Sequence, residues 1–182
     1  MDELVDLKAQ QIKLLALDID GVMTDGGLNI GDRGEIFKRF NAHDGLGISA
    51  ASRNGMKIVF ITGRVGGVVL QRASELGIAK VCSGVVDKRK ALIDVAAEFG
   101  VPLTEVAFMG DDLNDLPALS VAGLTLAPAN ASEDVKAVVD YVTAKSGGNG
   151  AVREVIELIL RSEHKWDKIV AAYLQAGQGD QQ

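Results

Sequence analysis

The stretch Leu14-Leu15-Ala16-Leu17-Asp18-Ile19-Asp20-Gly21-Val22-Met23-Thr24-Asp25 decides how the chain is organised, because an apolar run ends there in two carboxylates one residue apart. Residues i and i+2 of a strand share a face, so Asp18 and Asp20 are expected to project together where a buried strand surfaces. Two carboxylates this close repel each other unless a cation neutralises them. A hard dication does so through carboxylate, carbonyl and water oxygens, and it keeps both groups ionised near neutral pH. Gly21 then lets the chain turn away without a Cβ in the pocket. Alone, the pair is equally compatible with a strand ending in an Asp-rich turn, so its meaning depends on what the other strands deliver.

Downstream, residues 26–40 read as a hairpin: Leu28-Asn29-Ile30, a turn through Gly31-Asp32-Arg33-Gly34, and a return through Glu35-Ile36-Phe37-Lys38-Arg39-Phe40. Phe37 falls on one face of the return arm and Ile36 and Phe40 on the other, so a lone hairpin exposes apolar surface that another subunit could cover. Asp44 is the expected cap of a helix running to Asn54 ahead of Gly55. Met56 to Ile61 is a mostly apolar strand that ends in Thr62-Gly63-Arg64. A helix to Leu76 is closed by Gly77, and a short strand covers Lys80 to Cys82. Asp87 caps a helix from Lys88 to Phe99, which Gly100 ends. The strand Glu105 to Met109 delivers Gly110-Asp111-Asp112-Leu113-Asn114-Asp115. A helix at Leu116 to Val121, a strand at Leu124 to Ala127, a helix capped by Ser132 and a last strand at Tyr141-Val142 complete the alternation. The glycine cluster Gly147-Gly148-Asn149-Gly150 precedes a C-terminal helical tail over 151–176, with apolar residues at helical spacing around Trp166, Ile169, Val170, Tyr173 and Leu174; residues 177–182 read as disordered. The expected fold is therefore α/β, a Rossmann-like parallel sheet with helices on both faces, in one domain spanning 1–182, with ligands gathering at the carboxyl ends of the strands.

Composition narrows the function. With 182 residues and 47% hydrophobic content, one core is large enough to fold unaided. A net charge of −6 with a pI near 4.9 and no long Lys/Arg cluster argues against nucleic acid as the main partner. The charged residues Met1 to Lys13 lack a signal-peptide core and no apolar run reaches membrane-spanning length, so a cytoplasmic protein with no membrane partner is expected. The single cysteine, Cys82, excludes an internal disulfide and a cysteine metal site, and reads as a small buried residue.

Four polar clusters thus follow four strands: Asp18 with Asp20, Thr62, Lys88 at the next helix start, and Asp111 with Asp112 and Asp115. Individually, Thr62 is an ordinary strand-end hydroxyl, Lys88 a solvated helix residue and Asp111-Asp112 a capping region. Together on one sheet edge, the acids supply oxygens for Mg²⁺, while Thr62, Lys88 and helix-start N–H groups suit a phosphate. That combination is the equipment of phosphoryl transfer.

At these positions the sequence resembles the haloacid dehalogenase superfamily of phosphohydrolases. Asp18-Ile19-Asp20-Gly21-Val22-Met23-Thr24-Asp25 corresponds to its first motif, Ile61-Thr62-Gly63 to its second, Lys88 to its third and Gly110-Asp111-Asp112-Leu113-Asn114-Asp115 to its fourth. Thr24-Asp25-Gly26, Asp44-Gly45-Leu46-Gly47-Ile48, Ile61-Thr62-Gly63-Arg64, Asp87-Lys88 and Gly147 through Glu154 are similar to a branch acting on a phosphorylated eight-carbon sugar acid of lipopolysaccharide sugar synthesis. The likeness extends to about residue 160. Ser83 stands where that branch carries Gln, and the tail from His164 finds no counterpart.

The resemblance implies a Mg²⁺-dependent phosphomonoesterase. Asp18 would be the nucleophile and Asp20 the acid and base. Metal would be held by Asp18, Asp20 through its backbone carbonyl, and Asp111. Thr62, Gly63 and Lys88 would bind phosphate; Asn41, Ala42, His43, Asp44, Gly45, Ser49, Arg64 and Arg72 would contact substrate; and Asp112 and Asp115 would support the metal and Lys88. It also implies a capless fold in which the 26–40 hairpin is a flap, and a homotetramer in which a neighbour covers each pocket. Arg64 at a helix start would work against the helix dipole, which favours a ligand role. Arg there accompanies the eight-carbon substrate, whereas phosphatases of nine-carbon ulosonate 9-phosphates can carry Glu. A receiver-type phosphoacceptor domain also combines Asp, Thr and Lys on a parallel sheet, but it places the acceptor Asp on a middle strand, where this chain has Ile61-Thr62-Gly63. A non-catalytic interaction subunit is disfavoured because every motif residue is intact.

Overall fold

A computed structural model describes residues 2–32 and 34–176; the disorder expected for 177–182 lies outside them. Helix α1 (Glu3–Ala9) leads into β1 (Leu14–Leu17), the flap β2 (Asn29–Gly31) and β3 (Gly34–Phe37), then α2 (Ala42–Arg53), β4 (Lys57–Ile61), α3 (Gly67–Leu76) and β5 (Lys80–Cys82). The second half runs α4 (Lys88–Phe99), β6 (Val106–Met109), α5 (Leu116–Leu119), β7 (Leu124–Ala127), α6 (Glu133–Lys136), β8 (Tyr141–Val142), α7 (Ala151–Ser162) and α8 (Trp166–Ala176).

Six strands form one parallel sheet in the order β5-β4-β1-β6-β7-β8, and the flap is a separate antiparallel pair. Strands β1 and β4 alternate between two cores, as the two-residue period requires. Leu15, Leu17, Ile58 and Phe60 face one core with α1, α2, α3 and α7, while Leu14, Ala16, Val59 and Ile61 face the other with α4, α5 and α6. Fully burying a side chain such as Phe60 contributes about 1.5–3 kcal/mol. The apolar strands thus require helices on both faces, and these are present. The chain leaves β1 for β4 and β5, then crosses back to β6 on the other side of β1, so the order reverses between β1 and β6, where parallel sheets open a crevice. Among the described residues no helix is long and apolar enough to cross a membrane.

Several local expectations need correction. Strand β1 ends at Leu17, so a turn rather than strand pleating brings Asp18 and Asp20 together: the Ile19 carbonyl accepts from the Met23 and Thr24 N–H groups, and Gly21 takes φ +100°. Helix α2 is capped by Asn41, whose side chain accepts from the His43 N–H; the expected cap, Asp44, is wholly buried in the first turn. Ser132 starts α6 without a capping bond from its hydroxyl. Cys82 is only half-buried, because β5 is the edge strand.

Helix α7 begins at Gly150, which has no capping side chain, and Asp44 of α2 supplies one from 106 residues away. It accepts from the Gly150 N–H at 3.3 Å and the Arg153 N–H at 2.8 Å. The glycine cluster in turn meets the Asp18 loop through the Gly148 N–H, which donates to the Val22 carbonyl at 3.0 Å. A Cβ at Gly147 would lie 1.8 Å from the Gly21 carbonyl oxygen, so only glycine fits there.

Candidate active site

The cleft opens at the carboxyl ends of β1, β4 and β6, beside the switch in strand order. It occupies about 290 Å³ and is lined by Asp18, Asp20, Gly26, Leu28, Thr62, Gly63, Arg64, Asp111, Asp112 and Asn114. Each polar group arrives by the local logic of its element. Asp18 is the first residue beyond β1, tied down by its N–H to the Met109 carbonyl of β6. Thr62 follows β4, and its hydroxyl accepts from the Arg64 N–H at 3.2 Å. Asp111 lies two residues beyond β6.

Lys88 occupies the first turn of α4, behind Asp18. A cation there opposes the helix dipole, and its side chain is only 2% exposed; two carboxylates hold it in place. Its ammonium donates to Asp18 Oδ1 at 2.7 Å and to Asp115 Oδ1 at 2.6 Å. Asp115 is itself fully buried, and its other oxygen accepts from the Asp111 and Asp112 N–H groups at 2.9 and 3.2 Å. Asp112 caps the short turn that carries Asp115, with Oδ1 2.8 Å from the Leu113 N–H. The support expected of Asp115 is therefore geometric: it fixes both Lys88 and the backbone that presents Asp111.

The electrostatics leave a cation wanting. Burial pushes the Asp18 carboxyl up to about 6, with Asp115 adding to the rise and Lys88 opposing it. Asp111 is pushed up to about 7 by burial, then by Asp18 and Asp115. Burial lowers Lys88, but Asp18 and Asp115 more than offset this and hold it above its ordinary value. Carboxylate oxygens of Asp18, Asp111 and Asp115 come within 4.8 Å of one another, a cluster able to coordinate a divalent metal. Asp115 has both oxygens engaged, one by Lys88 and one by two N–H groups, so Asp18 and Asp111 are the members with an oxygen to give. A Cβ at Gly21 would lie 1.9 Å from Asp111 Oδ2, which makes Gly21 a condition of the cluster.

Asn41, Ala42, His43, Asp44, Gly45, Ser49 and Arg72 are not brought to the cleft lining. Asp44 is turned inward to cap α7, and Arg72 lies over the Phe40 ring at 5.7 Å and bonds Glu75. Arg64 does line the cleft, 3.9 Å from Asp20 Oδ2. The dipole argument made for it does not apply, because α3 starts three residues later at Gly67.

Residues given no role in the sequence reading also build the site. Thr24 Oγ1 accepts from the Gly21 and Gly26 N–H groups. Asn130 donates to the Gly21 carbonyl and accepts from the Gly147 N–H at 2.6 Å, clamping the two loops together. Lys38 reaches from the flap to Asp20. In the sequence it is one of three charged residues in the return arm, with Glu35 and Arg39, and nothing local sets it apart.

Residues 72–156 match the haloacid dehalogenase-like hydrolase family. The chain is 40% identical over 161 residues to the 3-deoxy-D-manno-octulosonate 8-phosphate phosphatase of Escherichia coli strain K12, covering 88% of this chain and 86% of that protein. Against the Haemophilus influenzae phosphatase of the same name it is 37% identical over 158 residues, 87% and 88% of the two chains. The crystal structure of the Moraxella catarrhalis 3-deoxy-D-manno-octulosonate 8-phosphate phosphatase, in complex with magnesium, phosphate and KDO, superposes with a TM-score of 0.92 at 41% identity, covering 95% of this chain and 99% of that one. The carboxylate cluster at the sheet's switch point, the buried Lys88 behind it and a likeness running nearly end to end place this chain in the 3-deoxy-D-manno-octulosonate 8-phosphate phosphatase family of haloacid dehalogenase-like hydrolases.

Proposed function

We propose that this chain hydrolyses 3-deoxy-D-manno-octulosonate 8-phosphate to the free sugar acid and phosphate, with Mg²⁺ as cofactor, in the cytoplasm. The observation that carries the reading is Asp18 itself: one oxygen is held by Lys88, and the carboxylate stands at the mouth of the β1 strand facing the cleft. Asp18 attacks phosphorus as the bond to the sugar oxygen breaks, forming an aspartyl phosphate. Asp20 gives its proton to that leaving oxygen, then takes one from the water that attacks the aspartyl phosphate and releases Asp18. Thr62, with its oxygen already accepting from Arg64, has its hydroxyl hydrogen free for a phosphoryl oxygen, and Lys88 neutralises charge from behind. The Asp18 and Asp111 carboxylates and the Asp20 carbonyl would hold Mg²⁺, which supplies positive charge between the anionic phosphate and the anionic nucleophile.

Arg64 is the group on the cleft wall suited to an anionic sugar acid, since a guanidinium donates several fixed hydrogen bonds. The flap leaves Ile30, Ile36 and Phe37 more than half exposed, which supports a homotetramer in which neighbouring subunits cover these faces. The test is phosphate release with and without Mg²⁺ from eight-carbon and nine-carbon ulosonate phosphates and p-nitrophenyl phosphate, using wild type, Asp18→Asn and Arg64→Glu. Asp18→Asn should abolish turnover. Arg64→Glu should lower kcat/KM for the eight-carbon substrate by roughly tenfold to a hundredfold, as expected for losing about 1.5–3 kcal/mol of charged hydrogen bonding, and affect p-nitrophenyl phosphate much less. Preference for the nine-carbon substrate, or an equal loss on both esters, would overturn the assignment of substrate.

A further inference from the structure

The flap buries a cation against the second aspartate. Lys38 follows β3, and its ammonium bonds Asp20 Oδ1 and sits 2.6 Å from Glu35 Oε1. The Lys38 side chain is 1% exposed, while its flap neighbours Ile36 and Phe37 are 64% and 54% exposed. Within one protomer, then, the lysine is withdrawn from water while the apolar flap residues beside it are not, so its burial is not a by-product of their packing. An ammonium leaves water at a cost of several kcal/mol unless opposite charge meets it, and here Asp20 and Glu35 meet it. Glu35 is off-line for a hydrogen bond and acts as a neutralising charge; its other oxygen abuts Gly66, the cap of α3, where a Cβ would lie 3.2 Å away. The flap is thereby seated on the body of the protein at both ends of this ion triad.

The consequence falls on Asp20. A carboxylate with both oxygens free interchanges them by rotation. With Oδ1 taken by Lys38, Oδ2 is the oxygen left on the cleft side, 3.9 Å from Arg64 Nε. We propose that Lys38, braced by Glu35, is a positioning residue for Asp20: it holds Oδ1 so that Oδ2 alone gives the proton to the leaving sugar oxygen and takes one from the attacking water. This rests on the acid and base role proposed above for Asp20. In the first step an Asp18 oxygen bonds to phosphorus, the phosphorus–sugar oxygen bond breaks and the Oδ2 proton goes to the sugar oxygen. In the second, Oδ2 receives a proton from water as that water's oxygen bonds to phosphorus and the bond to Asp18 breaks. Orientation of a proton donor matters because transfer requires a near-attack geometry, and the proton itself accounts for about 10²–10⁴ in rate.

The test separates positioning from folding by leaving group. An alkyl phosphate needs the proton to depart, whereas p-nitrophenolate leaves without it, and kcat/KM reports only steps up to phosphoryl transfer. Lys38→Met should lower kcat/KM for the eight-carbon sugar acid phosphate by about 30-fold or more and for p-nitrophenyl phosphate by less than about threefold. With p-nitrophenyl phosphate, rapid mixing of Lys38→Met should give a burst of one p-nitrophenolate per active site and a slow steady state, since water attack also needs Asp20. Lys38→Arg, which keeps a cationic donor, should recover most of the loss. In an Asp20→Asn background, Lys38→Met should cost nothing further. Should Lys38→Met not fold, Glu35→Gln touches neither Asp20 nor substrate and should show the same selectivity at roughly three- to tenfold. Equal losses on both substrates, or a Lys38→Met penalty that persists in Asp20→Asn, would overturn the proposal. If wild type released no phosphate from the sugar acid, the proposed substrate would fall, and the burst and the double-mutant comparison on p-nitrophenyl phosphate would still decide the role of Lys38.

Discussion

Asp115→Asn changes one atom in the most constrained part of the site. Asp115 Oδ1 accepts from the Lys88 ammonium at 2.6 Å, and Oδ2 accepts from the Asp111 and Asp112 N–H groups. Every neighbour is a donor. An asparagine must turn its NH₂ either to Lys88 or to the two backbone N–H groups, and in both orientations donor meets donor with no water present, since the residue is fully buried. Breaking a buried ion pair on one side costs about 3–5 kcal/mol. Opposing this, the substitution removes a negative charge that raises the Asp18 and Asp111 carboxyls, relief on the order of 1 kcal/mol. The loss wins, with a net of about 2–4 kcal/mol, or roughly 4–16 °C in Tm for a chain of this size. Lys88 and the Asp111 backbone lose their common anchor, so Mg²⁺ affinity should fall by about 10- to 100-fold, as for other groups that orient metal ligands. Calorimetry of the variant together with a Mg²⁺ titration of phosphatase activity checks both halves. A Tm within 2 °C of wild type and an unchanged Mg²⁺ requirement would show that Asp115 does not organise the site.

Two further outcomes follow from other buried carboxylates. Asp44→Ala should destabilise the protein by about 1–2 kcal/mol through loss of the remote α7 cap, whereas Asp44→Asn, which keeps an acceptor, should cost less; a raised KM with unchanged Tm would instead place Asp44 against substrate, as the family resemblance implies. Between pH 6 and 8 unfolded aspartates, with pKa near 3.9, are ionised, while the folded Asp18 and Asp111 carboxyls titrate near 6 and 7. The folded state therefore binds more protons in this window, and metal-free stability should fall as pH rises, by about 1–2 kcal/mol after allowing for solvent around the half-buried Asp111. Thermal melts in EDTA should show a lower Tm at pH 8 than at pH 6, with Mg²⁺ closing the gap, and a pH-independent Tm in EDTA would contradict the crowding of these carboxyls.

The sequence by itself determined the layers and the sheet edge that carries the chemistry. Continuous apolar runs such as Leu14–Leu17 and residues 58–61 can be buried only between two helical layers, and strand–helix alternation leaves the residues after each strand at one edge. Asp18, Thr62, Lys88 and Asp111 were legible for that reason, since each follows a strand or opens the next helix. Local capping was legible in part: Asp87 and the Lys90 N–H and Gly77 at positive φ were read, whereas Asn41, two residues from its partner His43, was passed over and Ser132 makes no capping bond. Asp44 could not be read this way: it looks like a cap for its own helix and instead caps α7, because its N–H partners lie 106 and 109 residues on. Lys38 was hidden for the same reason. In a hairpin sequence it is one more charged residue, and only the folding of the flap over β1 removes it from water and gives it Asp20 as a partner. Pairings within a turn are set by chain geometry over a few residues, whereas these are set by which distant surfaces exclude water together, and that is decided only once both layers have packed on the sheet.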